Sequence, residues 1–193
     1  MTTTAFYLPT TITTVPAYNS ITDQWSIPWN WNPYNISPGT TAITTRPLYT
    51  ISGLWMEKFL SNTDQLWCTG FNIPNNGQVV AGIEVELNVQ RASRIEDLVI
   101  QLTLGGELIG SNYASTVNPV QSDMYTGDYT TPVNPVGDYN IYGGPADTWG
   151  TTLTSSQLAN STFGVAISFK SNQIYPHSDL AYVSQVGIRI TYA

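Results

Sequence analysis

Residues 163–169 read Phe163-Gly164-Val165-Ala166-Ile167-Ser168-Phe169, and large apolar side chains alternate there with small or polar ones. A period of two is typical of a β-strand that buries one face. A second run of this kind, residues 181–192, places Val186, Ile188 and Ile190 on one face. The two runs predict the closing strands of a β-sandwich.

The same alternation occurs earlier in the chain. In residues 83–90 the apolar and polar side chains follow one another as Ile83-Glu84-Val85-Glu86-Leu87-Asn88-Val89-Gln90. Residues 98–104 repeat the period, with apolar Leu98 and Leu104 at the ends, and Gly105-Gly106 then predicts a hairpin turn. Short apolar runs at 48–56 and 66–73 add further strands, and residues 155–158 fit one helical turn. We therefore predict an all-β, antiparallel β-sandwich over residues 46–193.

Residues 1–45 have a different character, being rich in Thr and Pro with a single charge at Asp23. The prolines disfavour a helix or a central strand, so we predict an extended N-terminal arm. The middle of this arm is crowded with aromatic side chains, namely Trp25, Trp29, Trp31 and Tyr34. Because an indole left in water forgoes a burial gain of a few kcal/mol, we expect the arm to dock on neighbouring subunits, with docking on its own domain as the alternative.

A second aromatic cluster lies in residues 114–144, where Asn, Pro, Gly and Asp interrupt any regular period. We predict a long loop there, and long loops in compact domains are usually functional or packed by a neighbour. Its tyrosines are Tyr125, Tyr129, Tyr139 and Tyr142. Such side chains suit a protein interface or the stacking of a sugar ring, and both alternatives stay open at this point.

Composition excludes several classes of partner. Only 10% of the 193 residues are charged, against about 25% in ordinary soluble domains. The formal net charge is −7 with six Lys and Arg, so neither nucleic acid nor an anionic membrane surface is an expected partner. No signal peptide and no apolar run of about 18 residues is present, which predicts a chain made and kept in the cytoplasm.

Candidate catalytic or metal-binding residues are few. His177 is the single histidine and follows Pro176, where a solvent-facing or interface-facing side chain is the usual outcome. Cys68 is the single cysteine, and its neighbours Trp67 and Phe71 predict a buried structural thiol. One His and one Cys do not form a zinc site without several carboxylates.

The carboxylates do not form a compact ligand or catalytic set. Glu84 and Glu86 lie two residues apart on the polar face of a predicted strand, where solvated side chains are expected, and Glu96 is followed by Asp97. Three loop acids lack the spacing of a calcium site, and these are Asp123, Asp128 and Asp138. The sequence contains no phosphate-binding loop, dinucleotide fingerprint or nucleophile elbow. We therefore predict a protein that is not an enzyme and holds neither cofactor nor metal.

The order of several segments resembles a jelly-roll-type β-sandwich module of tailed-bacteriophage virion structural proteins. The segments are Gly70-Phe71-Asn72-Ile73-Pro74, Val80-Ala81-Gly82-Ile83-Glu84-Val85, Gly105-Gly106-Glu107-Leu108-Ile109-Gly110-Ser111-Asn112, Tyr142-Gly143-Gly144-Pro145-Ala146-Asp147-Thr148-Trp149-Gly150 and Phe163-Gly164-Val165. The resemblance covers roughly residues 48–192. It departs at the final strand, where relatives usually carry Asp and this chain has Ser184 or Gln185, and residues 1–45 have no counterpart. We expect Gly150 to permit a tight turn beside Trp149 and Gly164 to leave room for a large ring.

The resemblance implies a non-enzymatic virion component. The hypothesis is a capsid decoration or cement protein, made in the host cytoplasm and carried in the virion, whose arm docks on the major capsid protein or other virion proteins. This hypothesis implies that many copies of the chain lie on a symmetric particle, so we expect a homo-oligomer. The many weak contacts of the copies then act together through avidity. A tail, baseplate or fibre component is the alternative within this class. A carbohydrate-binding module that recognises host surface glycans is the alternative from another class.

Overall fold

The computed structural model describes residues 1–16, 18–19, 24–25, 62–91, 95–114, 139–171 and 181–193. Their strands are β1 (Thr2–Thr3), β2 (Thr11–Val15), β3 (Tyr18–Asn19), β4 (Gln24–Trp25), β5 (Gln65–Thr69), β6 (Val80–Arg91), β7 (Ile95–Leu104), β8 (Glu107–Ile109), β9 (Tyr139–Gly144), β10 (Gly164–Ser171) and β11 (Ala181–Tyr192). One short helix, α1 (Ser155–Leu158), begins at the capping box of Thr154 and Gln157.

These strands form two antiparallel sheets. Sheet A has the order β1-β11-β6-β9, and sheet B has the order β2-β5-β10-β7-β8, while β3 and β4 pair with each other. The arrangement confirms the predicted all-β sandwich. The jelly-roll topology stays a prediction. In the described part of the chain, no helix has the length and apolar character needed to cross a bilayer.

The core lies between the sheets and follows the alternation of the sequence. On β10, Val165, Ile167 and Phe169 are fully buried, and on β11 Ile188 and Ile190 are fully buried as predicted. Each fully buried side chain of this size stabilises the fold by about 1.5–3 kcal/mol relative to an exposed one. The central strands of both sheets therefore supply most of the apolar contact that holds them together.

Residues 1–16, which we call the N-terminal strap, join the edges of both sheets. Thr2 pairs with Tyr192 at the edge of sheet A, and Thr11–Val15 then pairs with β5 at the edge of sheet B. Between these strands Tyr7 exchanges two main-chain hydrogen bonds with Ile188, at N–O distances of 2.7 and 2.9 Å. The strap is thus part of the sandwich, which for these residues agrees with the alternative of docking on its own domain.

Other parts of the predicted arm fall outside the described residues, apart from the short pair β3 and β4. The apolar run at 48–56 also lies outside them, and so do residues 115–138 of the predicted loop. Within the remainder of that loop the structure differs from the prediction, because residues 139–144 form β9 and pair with β6. Pairing with a long central strand overrides the weak β preference of Gly and Asn there.

A bulge changes which residue of β7 faces the core. Val99 lies opposite Ser168, but the next pair joins Asp97 to Phe169, so Leu98 is the extra residue. Leu98 is consequently only partly buried, whereas the Asp97 side chain is 3% exposed. The predicted inward position of Leu98 is therefore wrong.

Candidate functional site

Most of the predicted partner-binding aromatics lie outside the described residues. Trp25 is placed only by its backbone, opposite Tyr18, and Tyr139 only by its backbone at the start of β9. The others outside the described residues are Trp29, Trp31, Tyr34, Tyr125 and Tyr129, together with His177, Asp123, Asp128 and Asp138. A binding surface built from these aromatics stays a prediction.

Glu84 and Glu86 on the polar face of β6 are buried, which corrects the expected solvated carboxylates. Glu84 is 6% exposed and accepts two hydrogen bonds from Arg189, at 2.6 Å from Nη2 and 2.9 Å from Nε. The Phe6 ring of the strap lies over this guanidinium, with 4.5 Å between Cζ and the ring centroid. The hydrogen bonds to Glu84 raise the pKa of Arg189 above its ordinary value. This carboxylate therefore anchors the strap and β11 to β6.

Glu86 lies on the same face and is 7% exposed. The side chain of Gln185 donates to its Oε1 at 3.3 Å. Opposite Glu86 in the register is Gly187, where an added Cβ would approach Phe6 at 3.3 Å, so this position leaves room for the strap. The two glutamates thus fix neighbouring structure and do not form an open catalytic pair.

The acids at the start of β7 have separate structural partners. Asp97 accepts a hydrogen bond from the Tyr142 hydroxyl at 2.8 Å inside the sandwich. Glu96 forms an ion pair with Lys170 across the sheet, at 3.1 Å. The hydrogen bond stabilises a carboxylate that would otherwise be costly to bury.

Trp149 forms a corner that joins the two sheets. Its indole N–H donates to the carbonyl of Ile83 at 2.9 Å, and the Tyr113 ring lies against it with centroids 4.4 Å apart. Asp147 accepts from the Trp149 backbone at 2.7 Å and from the Tyr113 hydroxyl at 2.6 Å. The hydrogen bond to Asp147 raises the pKa of Tyr113. These residues hold the fold at the motif that carries the resemblance.

Cys68 is a buried thiol, as predicted. Its side chain is fully buried in the core, and desolvation raises its pKa far above the ordinary value. Because only the thiolate attacks disulfide reagents, the native thiol at pH 8 is expected to react at least a hundredfold more slowly than the unfolded one. Absorbance with a chromogenic disulfide, in buffer and in guanidinium chloride, measures both rates. Equal rates would contradict the buried position.

The same burial gives a pH dependence of stability. The pKa of Cys68 is raised in the folded state, so its contribution to stability is complete below the unfolded pKa of about 8.5 and is lost as pH rises above it. We expect denaturant midpoints to fall above pH 8.5. A Cys68→Ala variant serves as the control, because it lacks the titrating thiol and should show a weaker decline.

The outer face of sheet B presents an aromatic side chain that sequence reasoning assigned no role. Trp67 points away from the core, between the buried Leu66 and Cys68, and its indole N–H donates to Gln65 Oε1 at 2.9 Å. We call its surroundings the Trp67 face. The face consists of Thr11, Thr13, Gln65, Trp67, Thr69 and Gln101. The outward parity of Trp67 in residues 65–69 is the signal that could have identified it.

Neutral polar groups surround the indole on this face. Across the sheet, Thr13, Trp67, Ala166 and Gln101 lie opposite one another on successive strands. Thr13 is exposed, and Trp67 and Gln101 are partly buried. The four residues of this row carry no charge, whereas the Glu96–Lys170 ion pair lies further along the same two strands β7 and β10. Ala166, which lies between Trp67 and Gln101 in this row, is fully buried, so the row is not an open surface across β10.

Among the described residues, no group of three or more His, Cys, Asp and Glu side chains is arranged to hold a metal ion. No family model, curated protein or solved structure matches the chain.

Proposed function

We propose that the chain is a non-enzymatic structural protein of a tailed-bacteriophage virion, a decoration protein that attaches to the capsid. Its sandwich serves as a rigid body, and the tryptophans of residues 25–31 dock on the major capsid protein or on neighbouring copies. The resemblance of residues 48–192 supports assignment to a virion, and the aromatic content of the N-terminal segment, whose single charge is Asp23, supports docking. A position on the tail, baseplate or fibre would use the same surfaces with another partner.

One observation carries the non-enzymatic part of the proposal: acidic side chains are used to hold the fold together. The pairs are Glu84 with Arg189, Glu86 with Gln185, Glu96 with Lys170, Asp97 with Tyr142, and Asp147 with Tyr113. A general acid or base must reach a substrate proton, whereas these carboxylate oxygens already form hydrogen bonds or ion pairs with side chains of the same fold. This arrangement favours a scaffold over a reaction centre.

The register at the edge of sheet B supports a separate role for the aromatic stretch. The last pair between β2 and β5 joins Val15 to Gln65, so two strands that are adjacent in the sheet are separated in the sequence by residues 16–64. Residues 16–64 therefore connect two neighbouring strands, and the aromatic stretch is an insertion between them. An insertion can be altered without disturbing the strands that flank it.

The experiment tests particle association of the intact chain. A triple variant carries Trp25→Ala, Trp29→Ala and Trp31→Ala, and it keeps β1 and β2, which deletion of residues 1–40 would remove. Particles purified on a density gradient from cells producing each chain are analysed by mass spectrometry. We expect the wild type in the particle fraction and at least a tenfold loss of the triple variant, with unchanged circular dichroism.

Ile141→Ala is the matched control, because Ile141 is exposed on the outer face of sheet A, and its association should equal that of the wild type. Absence of the wild-type chain from the particles would contradict the virion assignment. Full association of the triple variant would contradict docking through the tryptophans.

A further inference from the structure

We infer that Asn76 is a site of spontaneous deamidation, which converts it to aspartate and isoaspartate, and that Ser155 restrains this reaction. The inference goes beyond the virion assignment and does not depend on it. Asn76 precedes Gly77, and this is the one Asn-Gly pair among the 193 residues. The pair lies in the loop that joins β5 to β6, and the structure describes every residue of this loop.

The reaction needs no partner other than water. The backbone nitrogen of Gly77 loses its proton to a solvent base and attacks Cγ of Asn76. A bond forms between these two atoms, the bond from Cγ to Nδ2 breaks, and the amide nitrogen takes up a proton and leaves as ammonia. Water then opens the cyclic imide at either carbonyl, giving aspartate or isoaspartate, and nothing is oxidised or reduced. Glycine favours the attack because it has no Cβ to crowd its nitrogen.

The loop is open to the water and base that the reaction requires. Asn76 and Gly77 are both exposed, and an added Cβ at Gly77 would meet no atom beyond the adjoining residues within 4 Å. Gly77 has a φ of 70°, a conformation that glycine adopts without strain. The sandwich therefore shields neither the attacking residue nor the attacked one.

The Asn76 side chain is held as an electrophile. Its Oδ1 accepts a hydrogen bond from the backbone N–H of Gln78 at 3.0 Å, and its Nδ2 donates to Oε1 of Gln78 at 3.3 Å. Asparagine commonly closes a turn in this way, by accepting from the backbone two residues on. Negative charge develops on Oδ1 when the nitrogen attacks, and the Gln78 N–H is placed to stabilise it. The loop therefore polarises the amide that has to be broken.

Ser155 holds the nucleophile back. The Gly77 N–H donates to Oγ of Ser155 at 3.0 Å, and this hydroxyl donates to Oδ1 of Asn75 at 2.8 Å. Ser155 is 4% exposed at the start of α1, so its position is fixed. The new bond to Cγ must form on the side of the nitrogen that carries the proton, so this hydrogen bond has to open first. Opening one hydrogen bond in an exposed loop is a small local fluctuation, so the reaction is slowed and not abolished.

Asn160 provides a matched comparison within the same chain. Its Oδ1 accepts from the backbone N–H of Thr162 at 2.9 Å, so its turn is closed in the same way, and Asn160 is exposed. The residue that follows it is Ser161, whose Cβ crowds the attacking nitrogen. The comparison therefore isolates the effect of the glycine.

The test follows the purified full chain during incubation at pH 8 and 37 °C, by peptide mapping with mass spectrometry and by labelling with an isoaspartyl methyltransferase. We expect Asn76 to convert at least tenfold faster than Asn160, with isoaspartate among the products. Asn76→Gln should remove the label from this loop, because a glutamine would have to close a larger ring. Ser155→Ala should speed conversion at Asn76 at least threefold and leave the rate at Asn160 unchanged.

Conversion at Asn76 no faster than at Asn160 would overturn the deamidation site. An unchanged or lower rate at Asn76 in a folded Ser155→Ala variant would overturn the restraint. Should Ser155→Ala fail to fold, as judged by circular dichroism, hydrogen exchange of the Gly77 amide in the wild type tests the restraint instead. Exchange of that amide as fast as in an unstructured peptide would then contradict it.

Discussion

Replacement of Trp149 by alanine is expected to lower the free energy of unfolding by about 3–5 kcal/mol. The Trp149 side chain is fully buried, its ring packs at a tilt against that of Tyr113, and its indole N–H donates a hydrogen bond to the carbonyl of Ile83. Alanine would leave a cavity between the sheets and a carbonyl without its donor. Urea unfolding followed by circular dichroism measures the loss.

Trp149→Phe separates the contribution of apolar packing to this loss from that of the indole hydrogen bond. Phenylalanine keeps most of the apolar volume and removes the indole N–H, so the expected loss is about 1–2 kcal/mol. Trp67→Ala is the control for removing an indole from the surface, and it should cost less than half as much as Trp149→Ala. An equal loss in the two alanine variants would contradict the role of the Trp149 corner.

Gly164→Ala is expected to destabilise the protein by about 3 kcal/mol, the upper end of the range for overpacking. A Cβ at this position would lie 2.0 Å from the carbonyl oxygen of Cys68 and 2.9 Å from Cα of Thr69. Both are backbone atoms of the paired strand β5, so relief requires β5 and β10 to move apart. Thermal and urea unfolding of the purified variant give the difference.

Gly144→Ala is the matched control on another strand. Its added methyl group would meet only Cβ of Asp147, at the ordinary contact distance of 3.9 Å. We expect a change within about 0.5 kcal/mol, because a methyl group in open space neither clashes nor leaves a cavity. Similar losses in the two variants would indicate a general intolerance of alanine in strands rather than the clash at Gly164.

The prediction that position 164 requires glycine is correct, but the predicted reason is wrong. The prediction was that Gly164 leaves room for a large ring, but the structure places the backbone of β5 against it. The glycine that approaches the Trp149 ring is Gly143, where an added Cβ would lie 2.5 Å from Nε1. Periodicity identifies a strand, but it does not identify the atoms that face a glycine.

Local alternation predicted the sandwich well, because a strand with one buried face leaves a clear period of two. The predictions failed where residues distant in the sequence determine whether a side chain is buried. Glu84 is buried because Arg189 and the strap cover it, and both partners are distant in the sequence, with Arg189 separated from Glu84 by 105 residues. The bulge at Leu98 is invisible in β7 alone, since it is a property of the pairing with β10.

The N-terminal strap was missed for a related reason. Thr and Pro are compatible with an edge strand, but composition does not reveal which edge a segment will join. Of the candidate sites, the aromatic stretch was predicted from its tryptophans and stays untested. The Trp67 face needed the register of four strands, since only the sheet brings Thr13, Trp67 and Gln101 into one row.

The pairing of Thr2 with Tyr192 also sets an order of events during synthesis. The ribosome releases the strap before it makes β11, the strand that β1 joins, so this edge of sheet A cannot form until residues 191 and 192 have emerged. Contacts of such large sequence separation form slowly, because the intervening chain must be closed first. The pairing of β2 with β5 requires a far shorter length of chain. The strap is therefore held at sheet B before sheet A is complete, and residues 2 and 3 reach their final neighbours later than residues 11–15 do.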